Sequence, residues 1–220
     1  MNPRSIKIRA ARPDDANFIG WAMFAAARGH LPRGWFDIVL RRDESFCREF
    51  CARLAAANAR SWWHWSLFSV AEVDGQPTSA LCGFGDESVY RASSEAMHEA
   101  CMATGIGAAE EAQLWPRGAF ILSATTSEPG AWTIENVGTR PEYRGTGVTE
   151  ALLRHELSRA RGAGFARAQI SFLIGNEAAE RAYRKVGFIF AQEKRAPDFE
   201  LACGSPGLLR FTRDLSRAQR

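Results

Sequence analysis

The hydrophobic pattern changes period along the chain, and each change predicts an element. Ile6 and Ile8 alternate with basic residues over 6–9, as one face of a short strand requires, and Pro13 with Asp14 then opens a helix expected to reach Gly29. Phe46, Phe50 and Leu54 recur every four residues, which predicts a second helix over 43–59, ending before the aromatic cluster Trp62, Trp63 and Trp65. The period then falls to two. Segments 67–73 and 78–84 flank Asp74 and Gly75, a pair that favours a tight antiparallel hairpin. Ser94 can cap a helix carrying Met97, Cys101 and Met102, with Gly105 as its stop. Trp115 and Pro116 break that pattern, 120–125 predicts a strand, and Glu128, Pro129 and Gly130 turn the chain into a strand over Trp132–Thr139.

From there strands and helices alternate: helices over 147–161 and 177–186, strands over 167–174 and 188–193. Alternation of this kind implies parallel strands crossed by helices, whereas the earlier hairpin implies antiparallel pairing. The expected fold class is therefore α/β (α+β): a mixed sheet of six to seven strands flanked by helices, with an extra helical segment between the third and fourth strands. One domain over 1–220 is expected, with an acceptor-side part over about 1–130, a ligand-binding core over about 131–195, and a C-terminal strand and tail over 196–220. Arg213, Arg217 and Arg220 in that tail read as a solvated end.

Charge and composition narrow the partners. Lys and Arg total 28 against 25 Asp and Glu, so no net field draws nucleic acid or anionic lipid to the chain. The longest apolar run, 21–27, is too short to span a bilayer, and Pro13, Asp14 and Asp15 follow too soon after Ile8 for a signal peptide, so a cytoplasmic location is expected. Cys47, Cys51, Cys82, Cys101 and Cys203 form an odd set without a CxxC pair, which predicts reduced thiols and no metal. Cys47 and Cys51 share a helix face without a second ligand pair to complete a site.

Arg144, Gly145, Thr146, Gly147 and Val148 lie between a predicted strand and a predicted helix. Two glycines let main-chain amides approach a ligand closely, and the first turn of a helix offers unpaired N–H groups at the positive end of its dipole, which suits a pyrophosphate. The Walker pattern is absent, and GxGxxG fails because Glu150 and Glu110 stand in the sixth positions after Gly145 and Gly105, so neither ATP nor NAD is indicated. Taken alone, the glycines could serve only a turn.

A second segment, NEAAERAYRKVGF from Asn176, places a helix cap at Asn176, Ala179 and Tyr183 on one face, and Gly187 at the end. With Val137, Thr139, Pro141, Glu142, Tyr143, Arg144, Gly145 and Gly147 before it, the chain resembles the GNAT superfamily of acetyl-CoA-dependent N-acetyltransferases, whose two signature stretches recur here in order and spacing. The resemblance is strong from about residue 132 to 193. It implies an acetyl-CoA co-substrate, no metal, and a binding site formed by Asn136, Val137, Gly138, Thr139, Arg144, Gly145, Thr146, Gly147, Val148, Thr149, Asn176 and Tyr183. The family usually has Gly or Ala where this chain has Thr149, whose branched side chain could crowd the phosphate or add a hydroxyl donor to it.

Acyl transfer to an amine needs a neutral nitrogen, support for the carbonyl oxygen and a proton for the departing sulfur. An alkylammonium, with a pKa of about 10.4, must lose its proton, so a general base is required. Glu135 is the candidate, placed by strict alternation on one face with Thr133 and Val137, although a surface glutamate paired across the sheet reads the same way. Tyr183 takes the family's general-acid position, its alternative being a buried tyrosine bonded to backbone. The resemblance also implies that the Val137 amide supports the thioester carbonyl. His30, His64, His98 and His155 carry no motif. The function expected is transfer of an acetyl group from acetyl-CoA to a primary amine by direct attack in a ternary complex. A small-molecule acceptor and a monomer or homodimer are expected, against the alternatives of a protein N-terminal or lysine acetyltransferase and a non-catalytic acyl-CoA-binding module.

Overall fold

Period-two segments and the Asp74–Gly75 turn, with φ of 53° and 77°, build the first part of one mixed sheet. The computed structural model describes residues 5–216. Its strands are β1 (Ile6–Ala10), β2 (Phe68–Val73), β3 (Gln76–Phe84), β4 (Trp132–Thr139), β5 (Arg167–Leu173), β6 (Ile189–Arg195) and β7 (Gly207–Asp214), in the spatial order β1-β2-β3-β4-β5-β7-β6. β4 and β5 pair in parallel, while every other neighbouring pair is antiparallel. The single domain and the mixed sheet follow the sequence expectation, at its upper count of seven strands.

Alternation along the central strands buries two separate cores. Val70, Ala80, Cys82 and Phe84 face the layer containing α1 (Ala16–Arg28), α2 (Trp35–Leu40), α3 (Glu44–Ala55), α4 (Ser93–Thr104) and α5 (Ala108–Gly118). Ala71, Leu81, Ile134 and Ile170 face α7 (Val148–Gly162) and α8 (Glu177–Lys185) on the other side, after the short α6 (Ile121–Ala124). The expected extra helices between the third and fourth strands are α4 to α6.

Four expectations need correction. The expected strand over 120–125 is instead the short helix Ile121–Ala124: the β3 edge is already taken by β4, and Phe120 meets Phe199 of α9 (Pro197–Cys203), ring centroids 5.6 Å apart. Pro116 does not end the helical pattern but sits in the last turn of α5, where Arg117 donates to the Val39 carbonyl and Trp35 donates to that of Gly118. The second helix stops at Ala55, because the Glu99 carboxylate captures the amides of Asn58 and Ala59 at 2.7 and 2.8 Å and draws the chain away. Arg213 is buried in β7, donating to the Val186 carbonyl just past α8, where a helix end leaves acceptors unpaired. Arg217 and Arg220 lie outside the described residues. Helix α2 has no counterpart among the expectations; its start is fixed by Asp37, which accepts the Gly34 amide at 2.8 Å and is clamped by Arg28.

The helix that follows the glycine turn is anchored from inside. Glu156 of α7 is fully buried and accepts hydrogen bonds from Trp132 Nε1 at 3.0 Å, Ser69 Oγ at 3.0 Å and Arg159 at 2.8 Å. One carboxylate thus ties α7 to β2 and β4. Removing it strands the buried Ser69 hydroxyl and Trp132 indole N–H and leaves Arg159 unpaired, so Glu156→Ala is expected to cost about 3–5 kcal/mol and to lower the melting temperature by roughly 6–20 °C. Differential scanning calorimetry checks this; an unchanged melting temperature would show that the network adds nothing.

Candidate active site

The site begins with a misfit in the ladder. β3 and β4 pair through Ala80 with Gly138 and Cys82 with Glu135, leaving Asn136 and Val137 together opposite Leu81. This is a β-bulge, and Asn136 makes the local turn with φ of 54°, a left-handed value that Asn tolerates better than most residues. On its other edge β4 pairs with β5 only from Trp132 to Ile134. Beyond Ile134 the two parallel strands separate, while β5 stays paired to β7 through Leu173. A gap therefore opens along residues 135–139 of β4.

The bulge also changes which side chains share a face. Glu135 lies with Thr133, each opposite a residue of the α1–α5 core face, but Val137 packs into the α7–α8 core, so strict alternation fails at Asn136. Gly138 faces α1 at such close range that a Cβ there would stand 2.7 Å from the Ala22 carbonyl oxygen. Thr139 faces α7.

Immediately after β4 the chain makes the expected cradle. Gly145 and Gly147 have φ of 77° and 89°, with nothing within 4 Å of the Cβ that either would carry, so open space faces the turn. No side chain caps α7, and among the described residues no acceptor meets the amides of Gly145, Gly147, Val148 or Thr149. These are the unpaired donors that an anion at a helix start requires. Arg144 is exposed beside them and steadied by Nε on the Thr139 carbonyl at 3.3 Å; Thr146 spends its hydroxyl on the Tyr143 carbonyl at 2.6 Å.

Thr149 does not crowd this cradle. Its hydroxyl meets Thr139 Oγ1 at 2.7 Å, and Thr139 in turn meets Ser79 Oγ, which donates to the Gly138 carbonyl. With Ser79's hydrogen on that carbonyl, Thr139 donates to Ser79 and Thr149 donates to Thr139. The Thr149 hydroxyl is thereby directed toward β4, and only its amide faces the turn.

Across the gap, Asn176 caps α8 by accepting the Ala179 amide at 3.2 Å, and Tyr183 stands one face along. Tyr183 is 6% exposed, edge-on to Phe172 at 5.3 Å, and among the described residues its hydroxyl meets no backbone acceptor. Burial, and then the charge of Glu135, push its phenol above the usual range, so it stays protonated at neutral pH. Glu135 is half-buried, forms no ion pair, and desolvation raises its carboxyl to about 7. The cross-sheet ion pair that would make it a surface glutamate is absent among the described residues. Asn136 adds the one buried side-chain donor without a partner among them, Nδ2.

The sequence reading missed Tyr90, whose hydroxyl feels Glu135 most strongly after its own desolvation. Its ring lies 5.4 Å from Phe84 and 5.7 Å from Trp62. Only the concentration of rings in this part of the chain hinted at it.

Fold and site together define an acyl-transfer class of α/β protein, with a turn of unpaired amides beside a gap between parallel strands. The chain belongs to the Acetyltransferase (GNAT) family, whose model matches residues 13–188. Among solved structures it is similar to an acetyltransferase at 17% identity and TM-score 0.68, covering 96% of this chain and 100% of the other. It is also similar to an N-acetyltransferase from Staphylococcus aureus Mu50, at 18% identity and TM-score 0.67, covering 94% and 100%. A putative acetyltransferase from Salmonella typhimurium, solved with its cofactor acetyl-CoA, matches at 14% identity and TM-score 0.53, covering 98% and 97%. At these identities the likeness is one of fold. No curated protein sequence matches the chain. No helix of the described residues is long and apolar enough to cross a membrane.

The cradle makes a separable demand on two neighbouring residues. Gly147→Val places a branched side chain at a left-handed φ and should weaken coenzyme A binding about tenfold or more, the equivalent of one lost charge-assisted contact. Thr149→Val removes a hydroxyl that points away from the ligand and should change affinity less than about threefold. Calorimetric titration with coenzyme A reads both, and equal losses would place the Thr149 hydroxyl on the phosphate after all.

Proposed function

We propose that this protein transfers the acetyl group of acetyl-CoA to a primary amine of a small molecule, by direct attack within a ternary complex. The observation that carries the reading is the unpaired Glu135 carboxylate, held half-buried where β4 parts from β5 and titrating near neutrality. A non-catalytic module has no use for an uncompensated buried acid, which destabilises the fold that holds it.

The residues present fit the coenzyme: bare amides at Gly145, Gly147, Val148 and Thr149 for the pyrophosphate, the Arg144 guanidinium beside them, and the open β4 edge with the orphan Asn136 Nδ2 for the pantetheine arm. Acetyl-CoA supplies an activated thioester carbonyl. Glu135 takes the proton of the acceptor nitrogen as that nitrogen bonds to the carbonyl carbon, directly or through a water. The Val137 amide, beyond the last β5 pair, supports the carbonyl oxygen as charge gathers there. Tyr183 gives its proton to the departing sulfur as the carbon–sulfur bond breaks, and the proton that Glu135 took from the nitrogen passes through solvent to restore the phenol. Protein N-terminal or lysine acetylation would use the same groups; the ring cluster of Trp62, Phe84 and Tyr90, on the sheet face that Glu135 shares, favours a small acceptor.

Two outcomes test the roles. Because Glu135 works as carboxylate, turnover under saturating acetyl-CoA should rise about tenfold per pH step below about 7 and flatten above it, and Glu135→Gln should remove that inflection while lowering kcat roughly 100-fold. Tyr183→Phe should lower kcat by a similar factor and leave coenzyme affinity near normal. Thiol release measured over a panel of amines reads both. A wild-type profile flat through pH 7, or an unchanged rate in the phenylalanine variant, rules out the corresponding assignment.

A further inference from the structure

We propose that Trp62, Phe84 and Tyr90 form an aromatic recess beside Glu135 that admits the acceptor as an ammonium carried on a flat apolar body, selecting arylalkylamines over short aliphatic amines. This rests on the acetyltransferase reading above and specifies its acceptor.

The geometry converges on Glu135 from one side of the sheet. Cys82 is its cross-strand partner, and Phe84, opposite Thr133, lies two residues further along β3 on the same face. Cys82 Sγ donates to the Trp62 carbonyl at 3.1 Å, fixing the Trp62 segment over this strand pair. A single turn of 3-10 helix, Glu87–Tyr90, then brings Tyr90 back against both rings, edge-on to Phe84 at 5.4 Å and tilted against Trp62 at 5.7 Å. Tyr90 is still 42% exposed, so its ring is not consumed by the core. Behind Trp62 the run of rings continues through Trp63 and Trp35, at 4.8 and 6.3 Å, which braces the wall.

Charge decides what this wall receives. Glu135 has no ion-pair partner among the described residues, and Arg60 on the Trp62 segment is tied by Nε to Ser66 Oγ at 3.1 Å. Glu87, on the turn that carries Tyr90, adds a second negative charge to the same region. An anionic pocket walled by ring faces attracts an organic cation through the carboxylate and the ring quadrupoles together, and flat apolar surface on the cation adds stacking. Short aliphatic amines present the charge without that surface.

The test compares 2-phenylethylamine with ethylamine. With acetyl-CoA, thiol release should show a KM at least about tenfold lower for 2-phenylethylamine, and Tyr90→Leu and Trp62→Leu should each raise that KM by about tenfold and so shrink the preference over ethylamine. A reading independent of turnover comes from the coenzyme A complex, in which titrated 2-phenylethylamine should alter tryptophan fluorescence with an affinity that Tyr90→Leu weakens about tenfold. Melting curves of both variants confirm folding, and Tyr90→Leu, at an exposed position, serves if Trp62→Leu does not fold. Equal KM values for the two amines, or variants that leave the preference intact, overturn the recess but leave the acetyltransferase standing. Acetylation confined to lysine-bearing peptides overturns the recess in favour of a macromolecular acceptor. Absence of coenzyme A binding and of thiol release with every amine removes the acetyltransferase reading itself.

Discussion

The bulge at Asn136 and Val137 is the constraint from which the site follows. Two residues set against Leu81 force β4 to bend, and the bend ends its pairing with β5 after Ile134. Without that separation the parallel ladder would continue, and the main-chain groups of residues 135–139 would bond to β5 rather than face a ligand. The same extra residue moves Val137 to the α7 side and keeps Glu135 on the opposite side, beside Cys82. A left-handed Asn136 costs about 1 kcal/mol or somewhat more, which the flanking strands impose through Gly138 packed on α1 and Thr139 bonded to Thr149.

Two carboxylates away from full solvent illustrate how this fold divides stability from chemistry. Glu156 is completely buried yet meets an indole N–H, a hydroxyl and a guanidinium, so it serves as an anchor for α7. Glu135 meets none of these, and desolvation alone lifts its carboxyl to about 7. The linkage sign follows from the raised value: the native state holds this proton more tightly than the unfolded chain, so folding stability contributed here is present at acid pH and is lost as pH rises from the ordinary carboxylate range through about 7. The ionised form that could accept a proton is thus the form that the fold tolerates least. In the proposed reading that charge is met intermittently, by the acceptor's ammonium group rather than by a fixed side chain.

Much of this was legible in the sequence because the signals were local. Asp74 with Gly75 specifies a hairpin by backbone conformation alone, the two glycines of RGTGV specify the cradle, and Asn176 caps its helix with its own side chain. What escaped the sequence depends on partners distant along the chain. Residues 120–125 carry strand-like composition, but β4 already takes the β3 edge, and Phe120 packs on Phe199 at the start of a short helix instead. Helix α2 is too short for its period to register. Arg213 looked like tail until Val186 gave it an acceptor. The alternation that placed Glu135 correctly misplaced Val137, since a bulge is set by pairing with Leu81 and leaves no mark in β4 itself beyond an asparagine. Tyr90 escaped for the same reason: its significance comes from Phe84 and Trp62, neither adjacent to it in a periodic pattern.

Thr149 shows how a departure from a family pattern can be absorbed locally. A hydroxyl at the second residue of α7 would compete for the phosphate if its hydrogen were free, but Ser79, Thr139 and Thr149 form a chain whose direction is fixed at one end by the Gly138 carbonyl. Each hydroxyl donates toward β3 and β4, so the cradle remains entirely main-chain in its donors. The chain also joins the two structural demands of the site, since Gly138 and Thr139 belong to the strand that opens the gap and Thr149 to the helix that holds the anion. In the proposed reading, recognition of the diphosphate and placement of the thioester are therefore coupled through three hydroxyl groups that themselves need not touch either.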